Sequence, residues 1–119
     1  MKALANKLFE SREVTHALHL NSKKYSEHIA LNEYYDAIIP FIDDLVETYS
    51  GQYELIGDYM SIEGKPEMED AVKYMTSVVE YVKTERYKQI KEEDAHLQAI
   101  VDEIVNLQYK TIYKLKYLQ

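Results

Sequence analysis

Long stretches of this chain contain little that stops a helix. Its three glycines all fall between residues 51 and 64, and its two prolines are Pro40 and Pro66. Glycine and proline are the residues an α-helix tolerates least. The segments on either side of 51–66 are therefore open to long helices, with Pro40 the one interruption. Both segments carry apolar residues at helical spacing, so the fold expected is all-α with few turns. At 119 residues the chain makes a single domain, 1–119, with one modest core.

Four helices follow from the pattern. Residues 2–21 place Leu4, Leu8, Thr15 and Leu18 on one face, and Asn21-Ser22 ends the run. Ser26 then caps a second helix, to about residue 50, with Glu27 in its first turn. Its apolar face is Leu31, Tyr34, Ile38, Phe41, Ile42, Leu45 and Tyr49, and Gly51 suits the position just past its end. The apolar register continues unchanged through Pro40, which predicts a kink and not a break. Residues 51–65 read as a connection with room for one short helix. Pro66 suits the first turn of a third helix, to about residue 84, buried through Val72, Met75, Val78, Val79 and Val82. The charged stretch "KTERYKQIKEEDA" carries the next turn. A fourth helix, 93–118, buries Leu97, Ile100, Val101, Ile104, Gln108, Thr111 and Leu115, with acids at its start and Lys110, Lys114 and Lys116 at its end, as the helix dipole favours. A connection of some fifteen residues, 51–65, is long enough to return along a bundle and make the second and third helices parallel. That is the long crossover of ferritin-like four-helix bundles. Local folding of 51–65 would give an up-down-up-down bundle instead.

Composition narrows the function. The net charge is −7, from 14 Lys and Arg against 21 Asp and Glu, so the basic footprint of a nucleic-acid binder is missing. No cysteine is present, which removes disulfides and thiolate metal sites. The first residues are interrupted by Lys7, Glu10 and Arg12 and resemble neither a signal peptide nor a membrane span. A cytoplasmic location without membrane attachment is the default expectation. Twelve tyrosines suit the wet edges of helix interfaces. No nucleophile–base constellation or phosphate loop is present.

The chemistry-bearing residues concentrate in "HALHLNSKKYSEHIALNEYYD", residues 16–36, and just beyond it. On the second helix a stripe runs through His28, Asn32, Asp36, Ile39, Asp43, Val46 and Glu47. Asp43 and Glu47 are one turn apart and can reach one ion together. His28 and Asp43 are separated by roughly 22 Å along a helix axis, so they cannot share an ion within one chain. Two copies of this helix, paired antiparallel about a two-fold axis near Asp36–Ile39, bring His28 of one to Asp43 and Glu47 of the other, and His16 can join them. An isologous dimer forms two such sites.

These residues resemble a known pattern. His16, His28 twelve residues on, Asp43 fifteen beyond that and Glu47 four later are similar in spacing to the ferroxidase ligands of the Dps subfamily of ferritin-like proteins. "HLNSK" and "HIALNEYYD" resemble that family's segments around its two histidines. The chain also resembles small uncharacterised ferritin-like proteins of tailed phages. The resemblance covers residues 4–50. It implies oxidation of ferrous iron at sites shared by two subunits, with mineral storage in a hollow oligomer. The metal ligands would be His16, His28, Asp43 and Glu47. The metal would be iron, with manganese or zinc as alternatives suited to imidazole and carboxylate donors.

Three residues stand beside this set. Asn32 occupies a position where the family carries a further Asp, which leaves fewer anionic ligands and favours one ion over two. Asp36 is a partner that orients a ligand or an interface polar residue. His19 is a core-edge histidine bonded to the backbone, or a replacement for His16 in a register shifted by four. Glu13-x-x-His16 and Glu93-x-x-His96 have the spacing of di-iron bundles, but both glutamates and His96 fit solvated positions. The expected function is Dps-like iron binding, with ferroxidase-type oxidation, in a homodimer or larger homo-oligomer. The alternative is a non-catalytic homo-oligomeric or partner-binding helical module on the same scaffold.

Overall fold

The structure, a computed structural model, describes residues 1–57 and 70–118. Four helices account for most of them: α1 (Lys2–Asn21), α2 (Tyr25–Gln52), α3 (Ala71–Gln89) and α4 (Ala95–Tyr117). No strand occurs among the described residues. None of these helices is long and apolar enough to cross a membrane.

Each helix buries the face its sequence carries. Leu4, Leu8, Leu31, Ile38, Ile42, Leu45, Met75, Val78, Val82, Leu97, Ile104 and Leu115 are almost wholly shielded from solvent. Each such side chain contributes on the order of 1.5–3 kcal/mol when removed from water. Pro40 sits inside an unbroken α2. It is exposed, so its ring and the backbone carbonyl it leaves unpaired face solvent and not the core.

Polar contacts at the helix ends set the directions. Gln52, closing α2, donates from Nε2 to Asp94 Oδ1 at 3.0 Å, and its Oε1 meets His96 Nε2 at 2.6 Å near the start of α4. At the same end, Leu4 N in α1 donates to Gln89 Oε1 in the last turn of α3, at 2.7 Å. At the other end Lys114 of α4 pairs with Glu33 of α2 at 2.6 Å. Helix α1 packs on α2 and α3, α4 packs on the same two, and among the described residues the diagonal pairs make no close backbone approach. All four neighbouring pairs are therefore antiparallel, and α2 runs parallel to α3. The segment joining them links opposite ends of the bundle, and the up-down-up-down order is not adopted.

Several boundaries differ from expectation. Lys24, not Ser26, is the N-cap of α2. Gly51 lies inside α2, which ends at Gln52 with Tyr53 as its C-cap, and among the described residues the glycine with positive φ is Gly57 at 71°. Helix α3 runs Ala71–Gln89 and not to residue 84. Asp70 caps it by accepting from Lys73 N at 3.4 Å. The expected first turn at Pro66 and any short helix beyond residue 57 lie outside the described residues. The charged stretch stays helical to Gln89 because Arg86 is buried and tied to α4. Its Nε donates to Gln98 Oε1 and its Nη2 to Gln98 O, both at 2.8 Å. The turn shrinks to residues 90–94, under which Ile90 is buried.

Candidate metal-binding face

Three residues, Ser22 to Lys24, turn the chain from α1 into α2. Ser22 Oγ accepts from Lys24 N at 3.2 Å and donates to Lys24 O at 3.1 Å, which closes the turn tightly. This brings the last turn of α1 against the first of α2 and places His19 on His28. The rings stack with centroids 3.6 Å apart and an interplanar angle of 21°. Each ring also bonds the other residue's backbone. His19 Nδ1 lies 2.7 Å from His28 O, and His28 Nδ1 lies 2.9 Å from His19 O. A carbonyl only accepts, so both Nδ1 atoms carry a proton, and in the neutral ring the Nε2 atom is the one with the lone pair. A backbone carbonyl on one ring nitrogen is the usual arrangement that orients a metal-binding imidazole. It also gives His19 O a second donor beside Ser22 N at the C-terminus of α1.

His19 is 7% exposed and bonded to backbone, the position anticipated for a core-edge histidine. His16 is half-buried and meets Tyr35 instead of His28. Its ring stacks on the phenol at 4.5 Å and 29°, while the His19 ring meets the same phenol edge-on at 5.3 Å. Tyr35 OH donates to Asn32 Oδ1 at 2.6 Å, and Asn32 Nδ2 donates to Asp36 Oδ2 at 3.3 Å. A chain of contacts therefore runs from the α1 histidines through Tyr35 and Asn32 to an exposed carboxylate.

Asp43 and Glu47 lie further along α2, about 22 Å and about 28 Å from His28 by helix rise. Both are exposed, and neither pairs with another described residue. With 100° per residue, the stripe runs from the edge of the buried face, where His28, Asn32 and Val46 are half-buried, to the outward face of α2, where Asp36, Asp43 and Glu47 are exposed opposite Tyr34, Ile38 and Leu45. Tyr25, Ile29 and Ile39 lie on this outward side as well and are 80%, 36% and 36% exposed. Within one chain and among the described residues, no three His, Asp or Glu side chains converge on a metal position. His28 is thus apart from Asp43 and Glu47, as their spacing requires, and His16 stands against Tyr35 and not His28.

Residues 19–115 match the profile described as a family of unknown function, DUF5856. The chain belongs to that family. The DUF5856 segment contains His19, His28, Asn32, Tyr35, Asp36, Asp43 and Glu47, and His16 precedes it. No curated protein and no solved structure gives a significant match.

Tyr35 is the one member of this cluster that the motif spacing passes over. A signal for it exists. Residue 35 lies two turns after His28 and three residues after Asn32, so it shares their side of α2.

The opposite end of the DUF5856 bundle carries a second polar group. Tyr53 OH donates to Asp94 Oδ2, and Lys91 lies over the Tyr53 ring at 5.7 Å. The carboxylate beside it pushes the Tyr53 phenol up to about 12. The hydrogen bonds from Tyr53 and Gln52 hold Asp94 below its ordinary range. This group fastens the start of α4 to the end of α2. His96, expected to be solvated, is exposed and bonded to Gln52.

Proposed function

We propose that this DUF5856 protein is a ferritin-like bundle of the Dps type that takes up ferrous iron at sites shared by two copies of the chain. His16 and His28 of one copy and the partner's Asp43 and Glu47 supply the donors. Peroxide or oxygen is the oxidant. The observation that carries the reading is the outward face of α2. It holds two exposed carboxylates one turn apart with no partner among the described residues and, at its edge near the other end of the helix, a half-buried histidine whose Nδ1 is already anchored to backbone. The helix directions support it as well, since antiparallel neighbours with α2 and α3 parallel are the ferritin-like arrangement. Two imidazoles and two carboxylates suit iron, manganese or zinc. Exposed Tyr25, Ile29 and Ile39 on the same side supply apolar area for a two-fold contact.

Anaerobic titration with ferrous ion, followed by peroxide, tests the reading. The wild type is expected to sediment as a dimer or larger and to bind iron, and His28→Ala or Asp43→Ala to abolish uptake. A strictly monomeric protein, or uptake unchanged in both variants, overturns it. A second reading, a non-catalytic oligomeric or partner-binding module, is favoured by the His19–His28 clasp. Two stacked rings bonded to each other's backbone serve the turn without any metal. An oligomer without metal uptake is its expected result.

A further inference from the structure

Helix α4 divides its charge along its length. From Ala95 to Tyr109 it carries Asp102 and Glu103 and no lysine or arginine. From Lys110 to Tyr117 it carries Lys110, Lys114 and Lys116 and no acid. Its buried stripe runs through Leu97, Val101, Ile104, Gln108, Thr111 and Leu115. At 100° per residue the opposite stripe holds Glu103, Asn106, Tyr109, Lys110, Tyr113 and Tyr117, and all of these are exposed. The tyrosines are 45%, 54% and 67% exposed. With about 200 Å² to a whole tyrosine, they leave roughly 300 Å² of ring surface open to solvent. Lys83 of α3 donates to Tyr109 OH at 2.9 Å, and the Tyr113 and Tyr117 rings meet at 5.9 Å. The stripe is therefore already ordered in the single chain, which lowers the entropy lost on docking.

Glu103 and Lys110 lie on one flank of this stripe, two turns apart. Neither makes an ion pair with another described residue. The positions three and four residues from each hold no opposite charge, so α4 cannot pair them along itself. A second α4 can. A two-fold axis beside Asn106 and Leu107 runs the two helices antiparallel and keeps each flank of the stripe on its own side. Glu103 of each copy then meets Lys110 of the other. A parallel copy would set acid on acid and lysine on lysine. The antiparallel arrangement also opposes the two helix dipoles.

We infer that the outward stripe of α4 is a docking surface for a second copy of this chain, α4 against α4 and antiparallel, joined by two Glu103–Lys110 pairs with the tyrosines packed beside them. Roughly 300 Å² of tyrosine is under half of the ~800 Å² per partner in a stable interface. The charge pairs therefore decide whether the copies associate, and salt weakens the contact. This surface and the outward face of α2 are on different helices. A chain that uses both has two distinct two-fold contacts and assembles beyond a dimer.

The test uses the absence of cysteine from the chain. Asn106 lies next to the two-fold axis and points along the line between the helices. With axes about 8–10 Å apart and Cα atoms about 2.3 Å from each axis, the two Asn106 Cα atoms come within roughly 4–6 Å, inside disulfide reach. Asn106→Cys is expected to form a disulfide between copies under mild oxidation at low salt. Adding Glu103→Lys or Lys110→Glu sets like charges opposite each other twice and is expected to cut the yield on the order of tenfold. Both positions are exposed, so the fold is retained, as helical circular dichroism checks. An equimolar mixture of the two charge variants is expected to recover the yield, because acid again meets lysine at both places. No disulfide in Asn106→Cys overturns the inference. So does a yield unchanged by either charge variant, or a mixture that recovers nothing. Iron uptake plays no part in this readout, so failure here and failure of the shared metal site are told apart.

Discussion

Tyr34 is the residue whose chemistry can be tested most directly against the fold. Its ring is fully buried, and its hydroxyl joins three helices. Ser11 Oγ of α1 is 2.7 Å away, and Gln108 Nε2 of α4 donates to it at 3.3 Å. Ser11 Oγ already donates to Leu8 O at 2.7 Å, so the Tyr34 hydroxyl is the donor to Ser11. Gln108 is wholly buried, and its Oε1 has no partner among the described residues. Tyr34→Phe therefore leaves both ends of a buried amide unpaired. A buried polar group without a partner costs about 1–3 kcal/mol, so a loss of about 2 kcal/mol in urea unfolding is expected. In a domain of this size that lowers Tm by roughly 8 °C. Gln108→Leu alone removes an unsatisfied atom and leaves Tyr34 its bond to Ser11, so it should stay within about 1 kcal/mol of wild type. The double variant should recover at least about 1 kcal/mol relative to Tyr34→Phe, a coupling a double-mutant cycle resolves. The pH dependence gives a second measure. Burial pushes the Tyr34 phenol up to about 12, against the lowering effect of its bonds to Ser11 and Gln108. The fold thus favours the neutral phenol. That stability is complete below the unfolded value near 10 and is lost as pH rises from there through about 12. Tyr34→Phe should flatten the decline in this window. A Tyr34→Phe protein within about 0.5 kcal/mol of wild type, or strictly additive variants, would refute the reasoning and point to a buried water filling the gap.

Two further perturbations address the helix junctions. Arg86→Met removes both bonds to buried Gln98 and should cost about 2–3 kcal/mol in urea unfolding. Asp102→Asn should cost under about 1 kcal/mol, because Asp102 is 66% exposed although it sits 2.7 Å from the same guanidinium. Asp94→Asn should let the Tyr53 phenol fall from about 12 toward its ordinary value, followed as the pH dependence of its ring resonances. Because Asp94 is held low by Tyr53 and Gln52, its carboxylate contributes stability above the ordinary carboxylate range that is lost as pH falls through it. Asp94→Asn should remove that part of the acid sensitivity.

What the sequence reveals here depends on the range of the interaction. Helix faces are local and periodic, so Leu4, Leu8, Ile38, Leu45, Ile104 and Leu115 are recognisable as core from spacing alone. Arg86 is not. In "KTERYKQIKEEDA" it looks like one more solvated charge, and only Gln98, twelve residues away, makes it a buried residue that extends α3 by a turn and more. The same holds for Asp94, which looks like an acid opening a helix but is held by Tyr53 and Gln52 from α2. Helix ends settled by cross-helix bonds are hidden from any argument that reads one helix at a time.

The candidate metal-binding face divides along the same line. Asp43 and Glu47 can be paired from sequence because they are one turn apart. The contacts of His16 and His28 depend on the tight Ser22–Lys24 turn, which sets His19 on His28 and leaves His16 to Tyr35. The spacing rule and the turn therefore make different demands on one segment. The rule needs His16 and His28 to converge, whereas the turn joins His28 to His19. Both can be met only if the converging atom is one that the clasp leaves open, and the Nε2 lone pair of His28 is such an atom. The backbone-bonded Nδ1 that makes His28 look structural is also what would aim its other nitrogen at an ion. Asn32 gains weight for the same reason. Bonded to both Tyr35 and Asp36, it ties the His16 side of the cluster to an exposed carboxylate.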